Sequence, residues 1–245
     1  MTRFGFRSGA KALCLGALLL VLAASTPLVA GTFLVVGTPP DGATGNCFPF
    51  GCNYDSYGAG QYQQVYTSSL FGGQITIGSL EFYNTQDDSS GTTGMNTGTF
   101  TIDLSTTSAD WNTLSTNPAN NIGTGDVTVF SGSLAQAWAF GDTLTINFTT
   151  PFVYNPGAGN LLMNIMATGT GDALGDIFFD TNGYDDGSFD GNTYFGRYYN
   201  GSVNYGYGLV TGFDSGSVTT PEPASLLLLG AGLAGLSLLR KRIRS

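Results

Sequence analysis

The sequence reads as an all-β protein: a single antiparallel β-sandwich, jelly-roll-like, held between an N-terminal signal peptide and a C-terminal transmembrane helix. Three observations point there. Apolar residues recur with a period of two through the middle of the chain, Gly-, Asn-, Asp-, Ser- and Thr-rich clusters separate those runs, and the clean apolar stretches lie at the two ends. This divides the chain into residues 1–30, 31–217 and 218–245.

The first segment opens with Arg3, Arg7 and Lys11, continues as an apolar core over residues 12–24 and ends in small residues. Such a segment is a Sec-type signal peptide, too short to be a stable anchor. Cleavage is expected after Ala30, with Ser25 as the alternative. Lys11 stands where a lipobox needs an apolar residue, so Cys14 is not a lipidation site.

The middle segment alternates along its length. Ile75 and Ile77, then Leu80 and Phe82, mark one strand. Phe100, Ile102 and Leu104 mark a second, Val127 and Val129 a third, and Leu144, Ile146 and Phe148 a fourth. β-branched and aromatic residues at every second position fit half-buried strands. Residues 161–166, LLMNIM, are apolar on both faces and predict a central strand. Polar clusters at 86–98 and 117–125 predict loops. No stretch between Phe33 and Val218 has a helical period, apart from one possible turn over residues 134–140. Eight to ten short strands in about 190 residues suit two packed sheets of a jelly roll.

The last segment begins with Pro221, Glu222 and Pro223, runs uncharged and apolar over residues 224–239 and stops at Arg240, Lys241, Arg242 and Arg244. Its apolar run spans about 24 Å as a helix, short for a permanent membrane span. The basic cluster places the C-terminus in the cytoplasm and everything before Pro221 outside. Gly230, Gly232 and Gly235 spell G-x-G-x-x-G, but they follow no strand and no acid lies about 20 residues on. Small residues in a membrane helix account for them.

Triplet, short apolar helix and terminal Arg cluster together resemble the PEP-CTERM sorting signal of Gram-negative bacteria that make extracellular polysaccharide. The same tail segment has also been named after the C-terminal region of some ice-binding proteins. The resemblance implies that exosortase, a membrane cysteine protease-transpeptidase, is a partner. It would act near Pro221, Glu222 and Pro223 and release or transfer the ectodomain. The implied route is export through the inner membrane, a transient C-terminal anchor, and a final location at the cell surface or in the extracellular matrix. Residues 151–160 together with the following LLMNI also resemble a turn-plus-strand segment of PEP-CTERM β-sandwich ectodomains.

Charge and cysteine usage agree with that compartment. Of eight Lys and Arg, only Arg197 lies between Gly31 and Thr220, against sixteen acids and no His, a formal charge of −15. Such a surface repels phosphate, so nucleic-acid binding is excluded. Cys47 and Cys52 remain once the signal peptide is gone, spaced as Cys-Phe-Pro-Phe-Gly-Cys with Pro49 and Gly51 to turn the chain. In an oxidising space an even pair predicts a disulfide, and with no third Cys or His a zinc site fails.

Candidate chemistry is sparse. Asp186, Ser188, Asp190 and Asn192 imitate the front half of a calcium loop, but Arg197 stands where its closing Glu belongs. A looser Ca²⁺ site drawing on Asp176, Asp180, Asp185, Asp186 or Asp190 competes with a simple solvated loop. No other cofactor is expected. Tyr194, Tyr198, Tyr199, Tyr205 and Tyr207, with Arg197 among them, offer a sugar-stacking surface or else a hairpin whose rings pack inward. Nucleophilic catalysis lacks a base, since the span holds neither His nor Lys. The sequence thus reads as a non-catalytic surface or matrix protein associated with exopolysaccharide. The alternatives are a secreted carboxylate-dependent glycosidase or lyase and an ice-binding protein, whose regular Thr array the irregular runs here do not supply.

Overall fold

A computed structural model describes residues 32–38, 45–52, 60–85, 97–168, 177–183 and 193–215. The signal segment, the sorting tail and Asp176, Asp185, Asp186 and Asp190 lie outside them.

The described residues form an all-β structure of antiparallel sheets. Its strands are β1 (Thr32–Val36), β2 (Gln61–Tyr66), β3 (Ile75–Tyr83), β4 (Thr99–Thr107), β5 (Thr124–Gly132) and β6 (Thr143–Tyr154). Then come β7 (Asn160–Thr168), β8 (Thr181–Asn182), β9 (Phe195–Tyr199), β10 (Ser202–Tyr205), β11 (Gly208–Leu209) and β12 (Thr211–Ser215). One sheet has the order β1-β12-β3-β6, a second β10-β9-β2-β7-β4-β5, and β11 pairs with β8.

Both larger sheets feed one core. Leu80 and Phe82 of β3, Ile146 of β6 and Phe213 of β12 cluster with Tyr66 of β2, Ile102 of β4 and Met163 of β7. The Tyr66 and Phe213 rings meet edge-on at 5.0 Å, and the Tyr66 hydroxyl shares a 2.7 Å hydrogen bond with Thr211 Oγ1. Burial holds the Tyr66 phenol well above its ordinary pKa, so it stays a neutral partner.

The alternation that announced the strands has this cause. Phe100, Ile102 and Leu104 are all fully buried, while Thr101 and Asp103 between them face outward. The phase change in β3, from Ile77 to Leu80, coincides with a register shift between Ile77 and Ser79 against β6. A bulge there restores the apolar residues to the core face. β7 lies inside the six-stranded sheet, with Leu161, Met163 and Ile165 in the main core and Leu162 in a smaller cluster with Val65 and Leu114.

Two local expectations are corrected. Residues 134–140 form no helical turn; Leu134 and Trp138 are anchored singly in the core, and Trp138 Nε1 donates to the Phe178 carbonyl at 3.1 Å. The stretch 151–160 is not turn throughout. β6 continues through Pro151 to Tyr154, because Phe152 and Tyr154 keep the inward phase. The turn is confined to the 3-10 segment Pro156–Ala158, capped by Asn155 Oδ1 accepting from Gly157 N at 3.0 Å.

Cys47 and Cys52 are disulfide-bonded across 4.7 Å between Cα atoms. Their loop is a plug rather than a surface feature. Phe50 is fully buried, with its ring centroid 5.0 Å from Phe82, 5.6 Å from Phe100 and 5.4 Å from Phe179. Gly51 passes so close to Ile177 that a Cβ would collide with the Ile177 side chain and carbonyl. Backbone bonds between Asn46 and Phe179, at 2.9 and 3.0 Å, pin the plug in place.

Candidate functional site

The Tyr-rich segment is the hairpin β9–β10 at the edge of the six-stranded sheet. Its two-residue turn is Asn200-Gly201, with φ of 44° and 78°, the conformation that tight hairpin turns demand. Strand alternation then splits the six predicted residues between environments. Arg197, Tyr198 and Tyr207 are buried, Tyr199 is half-buried, and Tyr194 and Tyr205 are exposed.

Arg197 shares the inward phase of β9 with Phe195. Its guanidinium carbon lies 4.4 Å from the Tyr199 ring centroid and 4.2 Å from that of Tyr207, and its Nε donates to Asn204 Oδ1 at 3.0 Å. This slot is tenable for a guanidinium because ring faces and an amide oxygen replace water around it. Arg197, Tyr199 and Tyr207 are therefore brought together in a stack that closes the sheet edge. Tyr205 lies on the face of β10 opposite Asn204 and so outside that stack.

A different surface has the features of a binding site. An open groove of about 430 Å³ crosses the outer face of the four-stranded sheet, lined by Phe33 and Val35 of β1, Glu81 and Tyr83 of β3, and Thr85 and Asp180 at one end. Gly212 of β12 lies between these strands in the sheet, paired with Val35 on one side and Glu81 on the other. A Cβ on Gly212 would strike both the Phe33 ring and the Tyr83 hydroxyl. The bare backbone is what lets these two side chains lie down across the sheet. Tyr83 Oη donates to Glu81 Oε2 at 3.2 Å, and Thr145 Oγ1 donates to Glu81 Oε1 at 3.5 Å. Burial, then the Glu81 charge, push the Tyr83 phenol well above its ordinary pKa, so it remains a donor.

The groove's far end is closed by Asp180, which is buried. Its carboxylate accepts from Thr85 N at 2.6 Å and Thr85 Oγ1 at 2.5 Å. Asp180 is the one member of the proposed calcium set within the described residues, and there it caps a turn. Among the described residues no group of three metal-binding side chains gathers.

The outer face of the six-stranded sheet carries a polar ladder beside Tyr198, which pairs with Gln63. Gln61 Nε2 donates to Asn164 Oδ1 at 2.8 Å, Asn164 Nδ2 to Asp103 Oδ2 at 3.2 Å, and Thr128 Oγ1 to Asp103 Oδ1 at 2.7 Å. Partial burial, then the Asp103 charge, raise the pKa of Asp126. Both Asp103 oxygens are already occupied by strand neighbours, which makes this carboxylate pair a ladder rung first.

The comparisons with known proteins concern the tail. A family model, the PEP-CTERM protein-sorting motif, matches residues 219–242. The chain is a PEP-CTERM sorting-domain protein. No curated protein and no solved structure matches it. The matched span contains Pro221, Glu222 and Pro223, the whole apolar run, and Arg240, Lys241 and Arg242.

For a PEP-CTERM protein this motif means export across the membrane and sorting by exosortase toward the cell surface. Among the described residues no helix is long and apolar enough to cross a membrane; residues 224–239 lie outside them. The groove residues of this PEP-CTERM protein were not legible as a set. Glu81 and Tyr83 occupy the outward phase of a recognisable strand, which was a signal. Nothing in the sequence pairs them with Phe33, 48 residues before Glu81, or with Gly212, 131 residues after it.

Proposed function

We propose that this is a non-catalytic surface or matrix protein, processed by exosortase and associated with the exopolysaccharide of the cell that exports it. The observation that carries the reading is the sorting motif at residues 219–242, joined to a strongly acidic β-domain. Residues 1–30 serve as the signal peptide and 31–217 as the ectodomain.

The ectodomain is a β-sandwich of jelly-roll type. What supports this is the chain's passage between the two large sheets: β1, β3, β6 and β12 in one, β2, β4, β5 and β7 in the other, over a shared core. β8 pairs with β11 apart from the two large sheets, and the β9–β10 hairpin widens the six-stranded sheet. The non-catalytic reading is supported by the lack of His and Lys across residues 31–220.

The test replaces Pro221, Glu222 and Pro223 with Ala in the producing cell. The expected product is a membrane-retained precursor that still bears its tail, while the native protein co-sediments with the cell's exopolysaccharide. Release of the triple variant with native mass and yield overturns exosortase processing. Native protein that never co-sediments with exopolysaccharide overturns the association.

A further inference from the structure

We propose that the groove over Gly212 is a glycan-binding site that takes an uncharged hexose chain. The inference rests on the exopolysaccharide association above and names its place and its chemistry.

An aromatic side chain standing upright on a sheet shows solvent its edge. Here Gly212 has no side chain, and the tip of the Phe33 ring occupies the space a Cβ would need. The ring thus rests on bare backbone and keeps much of its surface in solvent; the residue is 46% exposed, and Val35 beside it 47%. An exposed ring flanked by apolar surface matches the C–H face of a pyranose.

Polar groups stand at the edge of that face. Glu81 accepts from Tyr83 and Thr145, and a carboxylate with about four lone-pair sites has capacity left for a hydroxyl donor. Thr85 and Asp180 close one end of the groove, and Asp214 stands opposite Phe33 in the strand pairing. A groove of about 430 Å³ lies within the ~300–1,000 Å³ of small-ligand sites.

Charge selects the occupant. Glu81, Asp180 and Asp214 are carboxylates, and no Lys or Arg lines the groove. A uronate- or phosphate-bearing polymer is repelled, whereas a neutral chain offers only hydroxyl donors and C–H faces. Tyr205, exposed on the other sheet's hairpin, does not line the groove and is not part of the site.

The experiment uses the full-length protein in detergent, with affinity electrophoresis and calorimetry against laminarin and dextran as neutral glucans and alginate and polygalacturonate as anionic ones. Wild type is expected to bind at least one neutral glucan and neither anionic polymer. Phe33→Ala is expected to weaken binding at least tenfold and Glu81→Gln several-fold, with thermal melting unchanged in Glu81→Gln. Tyr205→Ala is expected to bind as wild type. Anionic binding equal to neutral binding, full binding by both Phe33→Ala and Glu81→Gln, or loss of binding in Tyr205→Ala overturns the site. Co-sedimentation with the cell's own exopolysaccharide is read in parallel. If it persists in Phe33→Ala, the groove falls and the wider association stands; if wild type itself does not co-sediment, the association falls.

Discussion

Arg197 offers the sharpest test of how this domain is built, because it is the only cation between Gly31 and Thr220 and it is almost wholly buried. Two ring contacts at roughly 1 kcal/mol each and a charge-assisted hydrogen bond to Asn204 at about 1.5–3 kcal/mol favour the guanidinium in its slot. Against them stands the cost of taking the ion out of water, several kcal/mol. These contacts offset that cost, and the volume of the side chain is a separate contribution that Ala removes. Arg197→Ala then leaves a cavity between Tyr199 and Tyr207 and is expected to destabilise by about 2–4 kcal/mol. Arg197→Met fills the slot without the charge and is expected within about 1 kcal/mol of wild type. Arg197→Lys keeps the charge but loses the planar stack, and should be worse than Met. Urea unfolding followed by tryptophan fluorescence measures all three, with buried Trp138 as a reporter. A Met variant as unstable as the Ala variant refutes the reasoning, since the charge would then be the main stabilising element.

Other outcomes follow from the same geometry. Native protein should resist trypsin between residues 31 and 220 and, above its urea midpoint, be cut there once, after Arg197; rapid cutting without denaturant contradicts the burial of β9. Phe50→Ala should cost about 3–5 kcal/mol in urea unfolding, because three aromatic side chains lose their partner; a change under about 1 kcal/mol would place the plug outside the core. Non-reducing peptide mapping should recover Cys47 joined to Cys52, and reduction should lower stability by about 2 kcal/mol for so short a loop. The raised pKa of Asp126 means that the folded state favours its proton, so this group's contribution is present below the ordinary carboxylate pKa and lost as pH rises through the shifted value. Asp126→Asn should therefore melt higher than wild type at neutral pH, with the gain vanishing in acid; an equal gain at both pH values points to a cause other than charge.

Much of this protein could be read from its sequence alone. Targeting was legible because partition into a bilayer depends on local composition: a triplet, an apolar run and a basic end mean the same thing whatever they are attached to. The strands at 75–82, 100–104, 144–148 and 161–166 were legible because a sheet with one buried face imposes a period of two on its own residues. The cysteine pair was legible because five residues of separation make the encounter local. What the tertiary structure decided is every feature whose partners are distant. β2, Gln-Tyr-Gln-Gln-Val-Tyr, has too many amides to look like a core strand, yet Gln63 and Gln64 are fully buried. Gln64 bonds both the N–H and the carbonyl of Leu209, at 2.8 and 2.9 Å, and Gln63 accepts from Asn121 at 2.9 Å and donates to the Pro118 carbonyl at 3.0 Å. A buried amide is tolerable only when satisfied, and the groups that satisfy these are supplied by chain folding back from far away. Arg197 and the groove follow the same rule. Spacing placed Arg197 among tyrosines, but only the pairing of β9 with β2 and β10 turned it inward. Glu81, Phe33 and Gly212 became one surface only through the register of β1, β12 and β3, which no local pattern encodes.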